Sequence, residues 1–121
     1  MEDQNTILLV DDDEALIKIV SLQLTDQGYR VVSALDGDEA IIKLEQKRYD
    51  LILLDIGMVR VGGYEVLGFV KKKFPETKVI MLTGFADILH AHESKVLGAD
   101  EFLSKPYDLN ELLTTIRAVV G

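Results

Sequence analysis

Cysteine is absent from the 121 residues. That excludes disulfides, thiolate zinc sites and cysteine nucleophiles. Basic residues are scarce: 13 Lys and Arg face 21 Asp and Glu, for a net charge of −8. A chain of that sign repels polyanions, so nucleic-acid binding by this chain is not expected. The same sign suits a site that concentrates a divalent cation. Long apolar runs are also missing. Stretches such as Ile7 to Val10 and Leu51 to Leu54 fall far short of the roughly 18 residues that cross a bilayer, so no membrane partner is expected. The first six residues, Met1-Glu2-Asp3-Gln4-Asn5-Thr6, are acidic and polar, unlike a secretory leader. The expected setting is the cytoplasm.

What is present is a globular composition, 48% hydrophobic and 28% charged, of a length that suits one domain over residues 1–121. Short β-branched runs alternate with longer helical stretches. Strands are predicted at Ile7–Val10, Arg30–Ala34, Leu51–Leu54, Lys78–Leu82 and Glu101–Ser104. Helices are predicted at Glu14–Gln27, Asp38–Lys47, Tyr64–Phe74, Asp87–Leu97 and Leu109–Val120, with stops at Gly28, Pro75 and Gly98 and a cap at Asp108. Strands apolar on both faces, alternating with helices, specify an α/β fold: a doubly wound parallel sheet covered on both sides and joined by right-handed crossovers. Periodicity leaves the strand order open.

In such sheets the functional groups gather at the carboxyl ends of the strands. Asp11, Asp12 and Asp13 follow the first strand, Asp55 the third, Thr83 the fourth and Lys105 the fifth. Each has an ordinary explanation when taken singly. Asp11 and Glu14 fit a capping box, Asp55 a turn, Thr83 a helix cap and Lys105 a solvated charge. Their joint placement on one sheet edge is harder to explain that way. Carboxylates sharing a crevice repel, and a hard cation such as Mg²⁺ relieves the repulsion through oxygen ligands. A carboxylate also serves as a nucleophile toward phosphorus, with a lysine and a hydroxyl to receive the developing charge. The set therefore reads as a metal-assisted phosphoryl acceptor.

Four segments carry a resemblance: Ile7-Leu8-Leu9-Val10-Asp11-Asp12-Asp13, Asp50-Leu51-Ile52-Leu53-Leu54-Asp55, Val79-Ile80-Met81-Leu82-Thr83-Gly84 and Gly98-Ala99-Asp100-Glu101-Phe102-Leu103-Ser104-Lys105-Pro106. In this order they resemble the receiver domain of two-component response regulators, over essentially residues 6 to 121. The resemblance implies a flavodoxin-like (βα)5 fold with strand order 2-1-3-4-5. It implies a phosphorylation-controlled signalling module rather than a dedicated enzyme, with Asp55 accepting a phosphoryl group from the phosphohistidine of a sensor kinase or phosphotransfer protein. Mg²⁺ would be held by Asp11, Asp12, Asp55 and the carbonyl of Gly57. Thr83 and Lys105 would contact the phosphoryl oxygens, and Phe102 would be the switch aromatic coupled to Thr83. The responding surface would be the helix expected over 87–97, the fifth strand and the last helix. A phosphorylation-dependent homodimer through that surface is one option it carries. Lys105-Pro106 would be cis.

The sequence departs from the family in the loop after Asp55. Met58-Val59-Arg60-Val61-Gly62-Gly63 stands where the family usually has Met-Pro-x-Met-Asp-Gly. Without the proline and with Gly62 added, a less constrained loop is expected.

In the first helix, Leu16, Ile17, Val20 and Leu24 form an apolar stripe about 100° wide on the helical wheel, which suits a core-facing side. Ile19 and Leu22 fall outside it. Leu22 is read as a scattered surface residue. Ile19, near the active edge, is expected to anchor the docking partner together with the rim of Leu16. His90 and His92 are about 200° apart on a helix and cannot share a metal. Lys71-Lys72-Lys73 reads as a solvated helix end, Gly68 as a close-packing point and Tyr107 as packing.

Three rivals stand beside the receiver reading. A haloacid-dehalogenase-type phosphatase places its nucleophile after the first strand, with another Asp two residues on. Here the candidate nucleophile follows the third strand and Gly57 stands at the second position. A flavin-binding module needs a Ser, Thr and Gly phosphate loop where three aspartates stand. A receiver acting only by protein contacts has no need of the complete acidic and basic set.

Overall fold

A computed structural model describes residues 5–57, 62–84 and 98–120. Five strands, β1 (Thr6–Val10), β2 (Arg30–Ala34), β3 (Leu51–Asp55), β4 (Lys78–Thr83) and β5 (Glu101–Ser104), form one parallel sheet in the order β2-β1-β3-β4-β5. The described helices are α1 (Glu14–Asp26), α2 (Gly37–Gln46), α3 (Gly63–Lys73) and α4 (Leu109–Val120). The helix expected over 87–97, with His90 and His92, lies outside the described residues.

Side chains of a strand alternate between faces, and the core divides accordingly. Leu8, Val10, Ile52, Leu54, Val79 and Met81 pack on one side with Ala40 and Leu44 of α2 and Val66, Leu67 and Val70 of α3. Ile7, Leu9, Leu51, Leu53, Ile80 and Leu82 pack on the other with Ile17, Val20 and Leu24 of α1 and Leu112, Leu113 and Ile116 of α4. Burial of both faces explains why the central strands read as unbroken apolar runs.

The helix ends show what local chemistry fixed. Asp13, not Asp11, caps α1, its carboxylate accepting from the amides of Ala15 and Leu16 at 3.0 and 3.1 Å. This frees Asp11 for the sheet edge. α1 ends one residue before the predicted Gln27. The amide of Gly28 donates to Thr25 O and that of Tyr29 to Leu24 O, a Schellman closure that needs the left-handed φ of +97° at Gly28. Asp36 caps α2, so that helix begins at Gly37 rather than Asp38. Asp108 and Glu111 exchange hydrogen bonds at the start of α4, a reciprocal capping box. On α2, Lys43 pairs with Glu39 at 3.1 Å and donates to Ser33 O of β2.

Two expectations are corrected. Lys71 is not solvated: its Nζ donates to Thr77 O at 3.0 Å and to Asp100 Oδ2 at 3.1 Å. Asp100 also accepts from the amide of Val79 at 2.8 Å, so the pair ties α3 to the β4 start and the approach to β5. Gly68 is not a close-packing point. It is exposed, and a Cβ there would meet nothing within 4 Å. Gly68→Ala is therefore expected to stabilise the protein by about 0.5–1 kcal/mol through helix propensity and unfolded-state entropy. Chemical denaturation should show a raised midpoint at constant slope.

Candidate functional site

The strand order sets β1 beside β3 and β3 beside β4, so the carboxyl ends of β1 and β3 bring Asp11, Asp12 and Asp55 together. Carboxylate oxygens of these three lie within 4.8 Å of one another. Asp11 is fully buried, at 0% exposure. Its amide donates to Ala34 O at 3.1 Å, its Oδ1 accepts from the Asp13 amide at 3.0 Å, and its Oδ2 accepts from Lys105 Nζ at 2.7 Å. Asp55 closes β3 opposite Leu82 in the β4 register. Its Oδ1 accepts from the Gly57 amide at 3.2 Å and lies 3.7 Å from Lys105 Nζ. Asp12 is exposed at the rim.

Burial pushes the Asp55 carboxyl above the usual carboxylate range, and the charge of Asp11 adds to it. The Lys105 ammonium and the Gly57 amide offset only part of this, and Asp12 raises it further. For Lys105, burial works to lower the pKa. The hydrogen bond to Asp11 and the charges of Asp55, Asp11 and Asp12 outweigh it, and the value ends above that of an ordinary lysine. One ammonium thus serves two buried carboxylates. An excess of negative oxygen donors remains, a donor set that fits a hard divalent cation such as Mg²⁺.

The other sequence candidates are placed by the strands and helices that carry them. Thr83 ends β4 beside Ser104 in the β5 register. Phe102, paired with Met81, is half-buried against the α2–α3 side of the core. The Lys105-Pro106 bond is cis. Leu16 and Ile19 line a groove of about 680 Å³ that also includes Lys105, Pro106 and Tyr107. Ile19 is 57% exposed, as its place outside the core stripe of α1 requires. Residues 58–61 of the departing loop lie outside the described residues. Gly63, at the end of that loop, is held against the site: a Cβ there would stand 2.4 Å from Asp55 O and 2.8 Å from Ile56 Cα. Tyr107 packs against the α1–α4 side of the core, as expected, and its hydroxyl is buried without a hydrogen-bond partner among the described residues.

A parallel sheet of order 2-1-3-4-5, with a carboxylate cluster and a lysine at its carboxyl edge, defines a flavodoxin-like fold. The response regulator receiver domain family matches residues 7–117. The chain belongs to that family of two-component signalling modules. It is 37% identical over 120 residues to the probable transcriptional regulator ycf27 of Guillardia theta, covering 99% of this chain and 47% of that protein. It is 32% identical over 114 residues to the response regulator ArlR of Staphylococcus aureus, covering 94% and 52%. The chain thus spans about half the length of these curated relatives. Among solved structures, the chemotaxis protein CheY4 of Vibrio cholerae is similar at a TM-score of 0.90 and 34% identity, covering 97% of this chain and 99% of that one. The receiver domain of NtrX from Brucella abortus is similar at 0.90 and 30%, covering 94% and 97%. No described helix is long and apolar enough to cross a membrane.

Proposed function

We propose that this receiver domain accepts a phosphoryl group on Asp55 from a phosphohistidine of a sensor kinase or histidine phosphotransfer protein, in the cytoplasm and with Mg²⁺ bound. The observation that carries this reading is Asp55 at the end of β3, sharing Lys105 with the buried Asp11. An oxygen of the Asp55 carboxylate forms the new bond to phosphorus. The P–N bond of the phosphoimidazole breaks, and its electron pair stays on the departing nitrogen. The Lys105 ammonium, 3.7 Å from Asp55 Oδ1, meets charge on the transferred oxygens. Asp11, Asp12, Asp55 and the Gly57 carbonyl would hold Mg²⁺, which when bound supplies positive charge against the phosphoryl oxygens.

Thr83 is assigned to the phosphoryl oxygens, and Phe102 to the coupled rearrangement that alters the surface formed by β5, α4 and residues 87–97. A phosphorylation-dependent homodimer would use the same surface. The groove lined by Leu16 and Ile19 is assigned to the phosphohistidine-bearing partner. Lys105 lies in its wall, so a helix seated there would bring its histidine toward Asp55.

Incubation with acetyl phosphate and Mg²⁺, followed by intact-mass measurement, should show one phosphoryl adduct that disappears in Asp55→Asn and in excess EDTA. An adduct persisting in that variant would refute the assignment. Ile19→Ala should slow transfer from a phosphohistidine donor and leave acetyl phosphate labelling and melting temperature near wild type. Equal slowing with both donors would remove Ile19 from the docking surface.

A further inference from the structure

The chain passes from β1 into α1 through Asp11, Asp12 and Asp13. The carboxylates of Asp11 and Asp12 join the cluster with Asp55. That of Asp13 goes to the helix, its Oδ1 accepting from the amides of Ala15 and Leu16 at 3.0 and 3.1 Å. The backbone of the same residue makes two further bonds. Its amide donates to Asp11 Oδ1 at 3.0 Å, and its carbonyl accepts from the Ile17 amide at 3.0 Å.

These bonds form a relay from the core to the site. α1 is held on the sheet by Ile17, Val20 and Leu24, buried with residues of β1 and β3. Asp13 is held on α1 by its side chain and its carbonyl. Asp11 is held on Asp13 through Oδ1 and on Lys105 through Oδ2, the latter at 2.7 Å. A carboxylate gripped at both oxygens cannot turn freely, and its remaining lone pairs are left to a cation or its waters. The backbone of Asp13 is extended, at φ −89° and ψ 103°, as an N-cap requires. Without the capping bonds that conformation loses its main support, and the amide is free to swing off Asp11.

We propose that Asp13 is a positioning residue for the cation site: by capping α1 its side chain holds its own amide on Asp11 Oδ1, and so sets the direction in which the Asp11 carboxylate meets the cluster. The inference rests on the reading of Asp11, Asp12 and Asp55 as Mg²⁺ ligands. What the site uses is the capping oxygen of Asp13 and not its charge.

Asp13→Asn and Asp13→Ala separate those two properties. Asparagine caps as well as aspartate but is neutral, whereas alanine offers neither cap nor charge. The metal-free proteins are titrated with Mg²⁺ by calorimetry at physiological ionic strength. Asp13→Ala should bind roughly tenfold more weakly than wild type, the low end for lost support of a metal-ligating carboxylate. Asp13→Asn should bind close to wild type, because the charge it lacks is exposed and screened. The melting temperature of metal-free Asp13→Ala should fall by a few degrees, and the titration is run well below it. Wild-type affinity in Asp13→Ala, with lowered melting, would make Asp13 a helix cap and nothing more. Equal weakening in both variants would put the effect on charge and overturn the positioning role. Either result leaves the Mg²⁺ reading standing. If Asp12→Asn binds Mg²⁺ as tightly as wild type, the cation-site reading falls, and the Asp13 proposal with it.

Discussion

Gly63→Ala should destabilise the protein by about 3 kcal/mol, the upper range for forcing a methyl into a packed site. The added Cβ would sit 2.4 Å from the carbonyl oxygen of Asp55 and 2.8 Å from the Cα of Ile56. Both obstacles are backbone, and Asp55 belongs to a strand buried along its whole length, so neither side yields cheaply. Relief requires the first turn of α3 to lift away from the end of β3. That displaces the peptide carrying the Asp55 carboxylate, so on the proposed function acetyl phosphate labelling of Asp55 should fall along with stability. Urea denaturation measures the first effect and intact mass the second. A variant as stable as wild type would show that α3 can shift freely. Gly68, one turn further along the same helix and facing open space, is the control with the opposite sign.

Lys105→Met should cost about 2–3 kcal/mol at neutral pH. Breaking a buried ion pair leaves its partner charge uncompensated; the figure sits at or below the low end of the usual range because the lysine side chain is 25% exposed. The loss falls mainly on Asp11, at 0% exposure, whose Oδ2 gives up its 2.7 Å partner. The pH dependence follows from the raised pKa of Lys105. A cation whose folded pKa exceeds its unfolded value contributes its full stability below the unfolded pKa. That contribution is lost as pH rises through the folded value. The gap between wild type and Lys105→Met should be at full size near neutrality and narrow only above the ordinary lysine range. Thermal melts at neutral and strongly alkaline pH test this. A gap that stays constant would mean that the packing of the lysine stem, not its charge, carries the effect.

Much of this was legible because local and global signals agreed. Leu51 to Leu54 could only be a strand buried on both faces, and the wheel of α1 placed Ile17, Val20 and Leu24 inside and Ile19 outside. The acids of the site were visible as residues at strand ends, and the resemblance supplied the order that periodicity left open. What escaped were choices decided by tertiary contact. Asp11 and Asp13 are both chemically able to cap α1; Asp13, directly before Glu14, does so, while Asp11 is engaged by the Asp13 amide and by Lys105 from across the sheet. Lys71 looks like any helix-end lysine until Asp100, 29 residues on, is folded against it. Gly68 was misread because glycine in a helix signals equally a tight contact or none.

Among the described residues β2 and β5 are the edge strands of the sheet, and the Lys43 bond described above bears on the first of them. In β2 the amide of Arg30 and the carbonyl of Ala34 face β1, so by strand alternation the carbonyl of Ser33 points outward. An outward carbonyl on an edge strand is a template for pairing with another chain. Lys43 places its ammonium on that oxygen, so a foreign strand would have to displace a charge held in place by Glu39 before it could add to the sheet. Leu35 and Ile42 are exposed on the adjoining segment and on α2, apolar surface that would otherwise favour such an addition. The ion pair at this rim thus guards a concentrated solution of the protein against aggregation, at a distance from the chemistry on the carboxyl edge.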